Sequence, residues 1–123
     1  MRFTLDLAHQ AWTRDGDAVD LARRTVDLAR RADAAGVDLI TVSEDPDGWD
    51  AFALLGAISG ATRQAGLSTG VTNPYFRHPN LIAASVATLD RLSGGRARLG
   101  LGRGQPEWYG RALGMPVGSP LAA

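Results

Sequence analysis

Four short runs of apolar and β-branched residues recur along the chain at nearly even spacing. They occupy residues 3–8, 37–42, 66–72 and 97–102, so their last residues lie 34, 30 and 30 positions apart. Runs of this length and composition predict β-strands, and the spacing leaves room for one helix between successive strands. The pattern therefore indicates repeated strand–helix–strand units.

The segments between the runs have the apolar periodicity of helices. We predict one helix over residues 17–35, a second that begins at residue 51 and a third over residues 78–93. Gly36 is placed to end the first helix, and Pro79 is placed to begin the third, where its missing N–H costs nothing. Alternating strands and helices predict an α/β fold with a parallel sheet and right-handed crossovers. In such folds, ligands bind at the carboxyl ends of the strands.

The amino-acid composition excludes several kinds of catalytic and binding chemistry. The chain of 123 residues has no Cys and no Lys, which excludes disulfides, thiolate sites, a Schiff-base lysine and a P-loop. Two His and no dense group of acids give no pattern for a metal site. The net charge of zero does not favour a nucleic-acid partner. Without a long apolar segment or a signal peptide, we expect no membrane partner and a cytoplasmic location.

Residue types that bind ligands are concentrated in the loops after the predicted strands. Those loops, residues 9–15, 43–49, 73–78 and 103–109, hold all three Trp, both Tyr, both His and both Glu. The loops at the opposite end, residues 35–36, 63–65 and 93–96, are short and plain. Burial alone would also place tryptophans along helices. We therefore predict a small-molecule site at the carboxyl ends of the strands.

The residues of these loops leave alternatives open. Glu44 and Asp45 could form a catalytic carboxylate pair, or a solvated turn in which an aspartate caps the next helix. Trp49 could stack on a flat ring or cover the end of the sheet, and His9 follows a strand directly. The run Gly100-Leu-Gly-Arg-Gly104 permits close approach to the backbone by something flat or anionic.

Three segments together carry a family resemblance. They are residues 36–45, residues 69–79 with the sequence TGVTNPYFRHP, and residues 87–102 with the sequence ATLDRLSGGRARLGLG. In this order they resemble the bacterial luciferase-like (LLM class) flavin- or F420-dependent oxidoreductases. The TNPY-x-RHP motif is most similar to the methylenetetrahydromethanopterin reductase branch, which uses F420. The resemblance covers nearly the whole chain.

The resemblance implies the first four βα units of a TIM (β/α)8 barrel, with F420 or FMN held at the carboxyl ends of the strands. It implies a non-prolyl cis peptide bond at Gly70–Val71 that backs the cofactor ring. The implied cofactor-binding residues are Gly70, Val71, Thr72, Asn73, Gly102 and Gly104. The implied catalytic pair is Glu44 and Asp45, and the implied substrate side is His9, Trp49 and Tyr75. In the family a histidine commonly stands at the position of Asp45.

Length and function lead to two hypotheses. A complete barrel takes about 250 residues, so we expect residues 1–123 to be one partial domain, the N-terminal half of a larger barrel. The first hypothesis is an oxidoreductase that transfers hydride between F420 or FMN and a small organic substrate. The second is a non-catalytic half-barrel that acts by self-assembly, because two sheet edges would be unpaired. The resemblance also implies a homodimer through the second and third helices, where Gly56 and Gly60 permit close approach.

Overall fold

The computed structural model describes residues 1–7, 18–46 and 48–116. Strands and helices alternate from the first strand onward, as the apolar periodicity predicts. The strands are β1 (Thr4–Leu7), β2 (Leu39–Val42), β3 (Gly66–Thr69) and β4 (Ala97–Arg98), and the helices are α1 (Ala18–Ala34), α2 (Ala51–Ala61), α3 (Pro79–Ser93) and α4 (Pro106–Leu113).

The strands form one parallel sheet in chain order, β1-β2-β3-β4. Its register places Asp6 beside Thr41, Thr41 beside Ser68, and Ser68 beside Arg98. Because side chains alternate across a strand, these four residues share one face. The next residues along each strand point to the other face, where they are buried with the helices. The sheet is therefore two-faced, with a polar side and an apolar side.

The apolar face of the sheet and the inner face of α2 make the core. Ile40 and Leu67 on the sheet and Leu55 and Ile58 on α2 are all fully buried. Asp50 caps α2 by accepting a hydrogen bond of 2.9 Å from the backbone N–H of Ala53, which fixes where the helix begins. Helix α2 also packs between α1 and α3. The sheet thus has a firm apolar backing beneath the carboxyl ends of its strands.

At the amino ends of the strands, one buried acid and one arginine hold the short loops together. Asp33 accepts hydrogen bonds from the backbone N–H groups of residues 63, 64 and 65 at 2.6–3.0 Å. Burial raises the pKa of Asp33, but those N–H groups and the charge of Arg96 outweigh it and hold the pKa below its usual value. The Arg96 guanidinium donates to backbone carbonyl oxygens of Ser59, Thr62, Ala65 and Ser93 and to the Thr62 hydroxyl.

The ends of helix α3 lie where the sequence predicts them, but strands β3 and β4 are shorter than predicted. His78 and Pro79 begin α3, and Gly94 ends it with a positive φ of 69°. Strands β3 and β4 stop at residues 69 and 98 rather than at 72 and 102. The physical reason lies in Thr69, whose hydroxyl donates to the carbonyl oxygen of Gly100 and accepts from its N–H. A side chain thus replaces ladder bonds between the strands, and pairing resumes only at a bridge between Thr72 and Leu101.

The segment after β4 also differs from the sequence expectation. Residues 103–109 were expected to form a loop, but Pro106 starts the two-turn helix α4, which a left-handed Gly114 ends. Proline at the first turn and glycine after the last turn are the usual signals of a helix, so the segment follows ordinary capping rules. Within the described ranges no helix is long and apolar enough to cross a membrane. The predicted start of α1 at Asp17 and the site residue His9 lie outside the described residues.

Candidate active site at the carboxyl ends of the strands

The carboxyl ends of β2 and β3 and the start of α4 enclose a cavity of about 160 Å³. A ligand site of ordinary size has a volume of roughly 300–1,000 Å³, so this cavity accounts for one part of such a site. It lies at the edge where parallel α/β folds bind their ligands. The lining residues are Ser43, Glu44, Asp45, Gly70, Val71, Gly104, Gln105, Trp108 and Tyr109.

Val71 is the apolar surface of this cavity. Its side chain is 37% exposed, although it stands at the centre of the strand ends. The peptide bond that precedes it, Gly70–Val71, is cis, and the Ser43 hydroxyl donates a hydrogen bond of 3.2 Å to the carbonyl oxygen of Gly70. A Cβ atom on Gly102 would lie 2.8 Å from a methyl carbon of Val71. The missing side chain at Gly102 thus makes room for Val71.

Glu44 is a buried acid that joins the ends of β2 and β3. Its side chain is 7% exposed. One carboxylate oxygen accepts a hydrogen bond from the hydroxyl of Thr72, and the other accepts one of 2.6 Å from Nε of Arg77. Its backbone N–H donates to the carbonyl oxygen of Val71 at 3.3 Å. Glu44 is therefore bound to Val71 itself and to Thr72, the residue that follows it.

Arg77 pairs with two acids at once. Besides Glu44, its guanidinium donates through Nη2 to Asp50, the cap of α2, and it lies 5.2 Å from the centre of the Phe52 ring. Burial lowers the pKa of Arg77, but Glu44 and Asp50 more than offset it and raise the pKa. Burial raises the pKa of Asp50, and the Ala53 N–H and Arg77 together bring it below its usual value. Arg77 and Asp50 therefore carry full charges at neutral pH.

Asn73 and Tyr109 close the cavity from below. The buried Asn73 accepts backbone hydrogen bonds from Tyr75 and Phe76 at 3.0 and 3.2 Å, and its amide donates to the Tyr109 hydroxyl at 3.2 Å. That hydroxyl donates in turn to the carbonyl oxygen of Arg103 at 3.0 Å. Burial, then the negative charge of Asp45, raises the pKa of Tyr109, which keeps it a neutral donor.

A larger groove of about 570 Å³ lies beside the cavity and shares Glu44 and Asp45 with it. Trp49 and Tyr75 line this groove, and both are half-buried. The hydroxyl of Tyr75 is buried and has no hydrogen-bond partner among the described residues. The groove is otherwise apolar along α3 and the end of α4, where Leu81, Leu113 and Met115 contribute to it.

The site residues expected from the sequence fall into three groups. Glu44, Asp45, Gly70, Val71 and Gly104 line the cavity, whereas Trp49 and Tyr75 line the groove beside it. Thr72, Asn73 and Gly102 form the third group, which supports the cavity from the interior. The aspartate that caps α2 is Asp50 rather than Asp45. His9 is outside the described residues, and its role stays a prediction.

Sequence reasoning missed four residues that line the cavity, Ser43, Gln105, Trp108 and Tyr109, and it missed Arg77 beside it. Arg77 lay inside a motif that was otherwise interpreted as a helix start. A signal for it existed, because an acid after one strand and an arginine after the next strand are brought to the same edge of a parallel sheet. The space that Gly104 leaves was predicted to admit a ring, but a Cβ there would lie 1.1 Å from the Tyr109 hydroxyl oxygen. That space is therefore filled by the chain itself.

The parallel strands and their helices form four βα units of a TIM barrel, with the cavity at the carboxyl ends of the strands. The whole chain, residues 1–123, matches the family described as luciferase-like monooxygenase. The chain therefore belongs to the luciferase-like monooxygenase family.

Two reductases and one monooxygenase illustrate the likeness. The chain is 36% identical over 93 residues to the 5,10-methylenetetrahydromethanopterin reductase of Methanolobus tindarius, a match that covers 76% of this chain and 28% of that protein. The coenzyme F420 dependent tetrahydromethanopterin reductase of Methanopyrus kandleri is 27% identical, with a TM-score of 0.73 over 94% of this chain and 30% of its own. An oxygenating constituent of 3,6-diketocamphane monooxygenase from Pseudomonas putida, solved with FMN, shares the fold at 21% identity, with a TM-score of 0.78 over 91% of this chain and 32% of its own. This chain thus spans about a third or less of these proteins.

Proposed function

We propose that the chain supplies the cofactor-facing part of a luciferase-like oxidoreductase that transfers hydride between F420 or FMN and a small organic substrate. The observation that carries this proposal is the exposed Val71 surface at the carboxyl ends of four parallel strands. The reductases to which the chain is similar favour F420, and the monooxygenase solved with FMN keeps the flavin as the alternative.

The residues of the cavity fit a flat, partly polar ring. An apolar side chain left 37% exposed between strand ends offers one ring face a dry surface. Gly70 lies on the same surface and has no side chain that would keep a ring away from Val71. Asp45 and the hydroxyl of Ser43 stand at the rim, where they can bind polar ring edges. When bound, the ring supplies the hydride chemistry, while the protein binds, orients and shields it.

Within this proposal the site residues take different roles. Gly70 and Val71 contact the ring, whereas Gly104, whose side-chain space Tyr109 fills, borders the cavity with its backbone. Thr72, Asn73 and Gly102 hold that surface in shape. Asp45 is the acid that faces the ring, whereas Glu44 fixes the position of Val71. Trp49 and Tyr75 line the substrate side.

The experiment is a fluorescence titration of the purified chain with F420 and, separately, with FMN. We expect saturable quenching with at least one of them, and Val71→Asp should weaken it at least about tenfold, or about 1.4 kcal/mol. A matched control is Leu28→Asp, because Leu28 is exposed on α1 and lines neither the cavity nor the groove beside it. No saturation with either cofactor up to millimolar concentration would contradict cofactor binding by this chain.

A second function is favoured by the two sheet edges. Asp6 on β1 and Arg98 on β4 have opposite charges, are exposed, and lie at the same level of the register. A second copy could therefore pair its β1 with β4 and close a barrel with matched charges. In this non-catalytic alternative the chain acts as a self-assembling module. Light scattering tests it, because the charge-reversal variant Arg98→Asp should dissociate such an assembly, and the double variant with Asp6→Arg should restore it.

A homodimer through α2 and α3 is a separate proposal. Gly56 and Gly60 have no atom within 4 Å of a would-be Cβ, and a groove of about 300 Å³ runs between the two helices. Leu81 and Leu92 of α3 are about 60% exposed beside it, at 59% and 62%. Gly60→Leu should lower the dimer fraction in light scattering, while Arg98→Asp should leave this kind of dimer intact.

A further inference from the structure

We propose that Arg77 is a positioning residue for the cofactor: through Glu44 it holds the Val71 surface in the geometry that a ring requires. The inference rests on the proposed function and assigns a role that the sequence motif did not suggest. Arg77 does not line the cavity of about 160 Å³ itself. Its effect must therefore pass through a residue that does.

The first step is that one guanidinium pins both ends of the β2–α2 connection. Its Nε binds Glu44, the second residue after β2, and its Nη2 binds Asp50, the residue that caps α2. The Phe52 ring lies beneath it. A planar fork with several donors suits two carboxylates at once, whereas a lysine ammonium offers only a point charge. Glu44 and Asp50, at the two ends of the connection, are therefore held to the same side chain.

The second step leads from Glu44 to the cavity surface. Glu44 binds the Thr72 hydroxyl with its side chain and the Val71 carbonyl oxygen with its backbone N–H. Thr72 is fully buried and donates its own N–H to Gly100 at 2.9 Å. Val71 is thus held from the β2 side through Glu44 and from the β4 side through Thr72. Loss of Arg77 would release the first of these two restraints.

The third step separates positioning from stability. An arginine whose only role is structural would lower the unfolding midpoint when removed but leave the affinity of each folded molecule unchanged. A positioning residue changes that affinity as well, because the ring meets a displaced surface. Removal of Arg77 also leaves the buried Glu44 without its cation, so the acid must move towards water or draw water in. Either movement alters the residues that face the ring.

The test compares Arg77→Met and Arg77→Lys with Arg24→Met, which removes an exposed arginine paired to Asp20 on α1. For each full-length variant, the dissociation constants of F420 and FMN are measured by fluorescence at a temperature where circular dichroism shows it folded. Hydrogen exchange of the Glu44 amide is measured without cofactor. The amides of residues 63–65, which Asp33 binds, serve as the internal reference.

For Arg77→Met we expect a dissociation constant at least about tenfold higher, which corresponds to about 1.4 kcal/mol, and faster exchange at Glu44 with unchanged exchange at residues 63–65. Arg77→Lys should recover part of the affinity, and Arg24→Met should change neither quantity. A lower unfolding midpoint with unchanged affinity would overturn the proposal and leave Arg77 a purely structural role.

The exchange experiment keeps this inference separate from the proposed function. If the unchanged protein binds neither cofactor, the proposed function fails, and the exchange of the Glu44 amide still decides whether Arg77 holds the cavity surface. Unchanged exchange at Glu44 in Arg77→Met would overturn the positioning role, whatever the cofactor titration gives.

Discussion

At each end of the sheet an arginine and a buried acid join neighbouring βα units, but the two pairs bind different partners. At the amino end, Asp33 and Arg96 bind mostly backbone groups of the short loops and of the adjacent end of α2. At the carboxyl end, Glu44 and Arg77 bind mostly side chains. The first arrangement fixes loops that have nothing further to bind, whereas the second shapes a surface and leaves Val71 exposed.

The difference indicates that the amino end of the sheet mainly stabilises the fold, whereas the carboxyl end shapes the candidate site. Buried backbone groups need partners, so an acid that binds three N–H groups contributes directly to folding. Side-chain pairs above the strands can be altered without unpairing the backbone, which makes that end adaptable. TIM barrels in general keep catalysis at the carboxyl end and stability at the amino end. Four predictions can break or sharpen this contrast.

The largest effect is expected at the amino end, for Asp33→Ala. Three backbone donors lose an ionised acceptor, and hydrogen bonds to charged groups contribute about 1.5–3 kcal/mol each without full additivity, so we expect a loss of about 4 kcal/mol. Urea unfolding followed by circular dichroism measures it. Asp27→Ala, which breaks only an exposed pair with Arg30 on α1, should change stability by less than about 0.5 kcal/mol.

The contrast also requires that Asp33 variants keep their cofactor affinity. Asp33→Asn retains one acceptor oxygen and should stay folded, so it permits the titration if Asp33→Ala does not. An affinity for F420 or FMN that falls together with stability in Asp33→Asn would show that the two ends are not separate.

The second effect concerns Gly104, at the carboxyl end. Its φ is +66°, and a Cβ would coincide with the Tyr109 hydroxyl, so Gly104→Ala must displace Tyr109 from Asn73. We expect a loss of about 2–3 kcal/mol and a changed near-ultraviolet circular dichroism signal. The control Gly56→Ala, on α2 with open space around it, should stabilise the chain by up to about 1 kcal/mol. Equal effects of both substitutions would contradict the packing of Tyr109.

The sequence predicted the strands, helices and caps, which depend on residues close together in the chain. Apolar periodicity located all four strands and the first three helices, and local capping rules placed the starts at Asp50 and Pro79 and the stop at Gly94. The cis bond at Gly70–Val71 came from the family resemblance, because no local pattern specifies it. The strand order places Glu44 and Arg77 at the same edge of the sheet, but their direct contact could not be predicted, since they are 33 positions apart and the contact depends on how two strand ends meet.

The third effect is a loss of stability in acid. The pKa of both Asp33 and Asp50 is lowered by folding, from an ordinary value of 3.8. A lowered pKa gives stability that is present above 3.8 and is lost as the pH falls through the folded value. We therefore expect constant stability from pH 8 to about pH 5 and a decline below about pH 4. Denaturant unfolding at each pH measures it.

The two ends should differ in this acid response. Asp33 is buried, whereas the Asp50 side chain is 47% exposed and solvent screens its charge. Asp33→Asn should therefore remove more of the pH dependence than Asp50→Asn does. The reverse order would place the stronger stabilising charge at the carboxyl end and contradict the contrast.

The smallest effect on stability separates the two ends most sharply. Ser43 and Ser59 each donate one hydroxyl hydrogen bond to a backbone carbonyl oxygen, that of Gly70 and that of Gly56 respectively. Replacing either serine with alanine should cost about 0.5–1 kcal/mol in urea unfolding. Only Ser43→Ala should also weaken cofactor binding, by about threefold or about 0.6 kcal/mol, because the Gly70 carbonyl belongs to the bond that precedes Val71. If both variants bind F420 and FMN as tightly as the unchanged chain does, the Ser43–Gly70 contact contributes only to folding and has no role in cofactor binding.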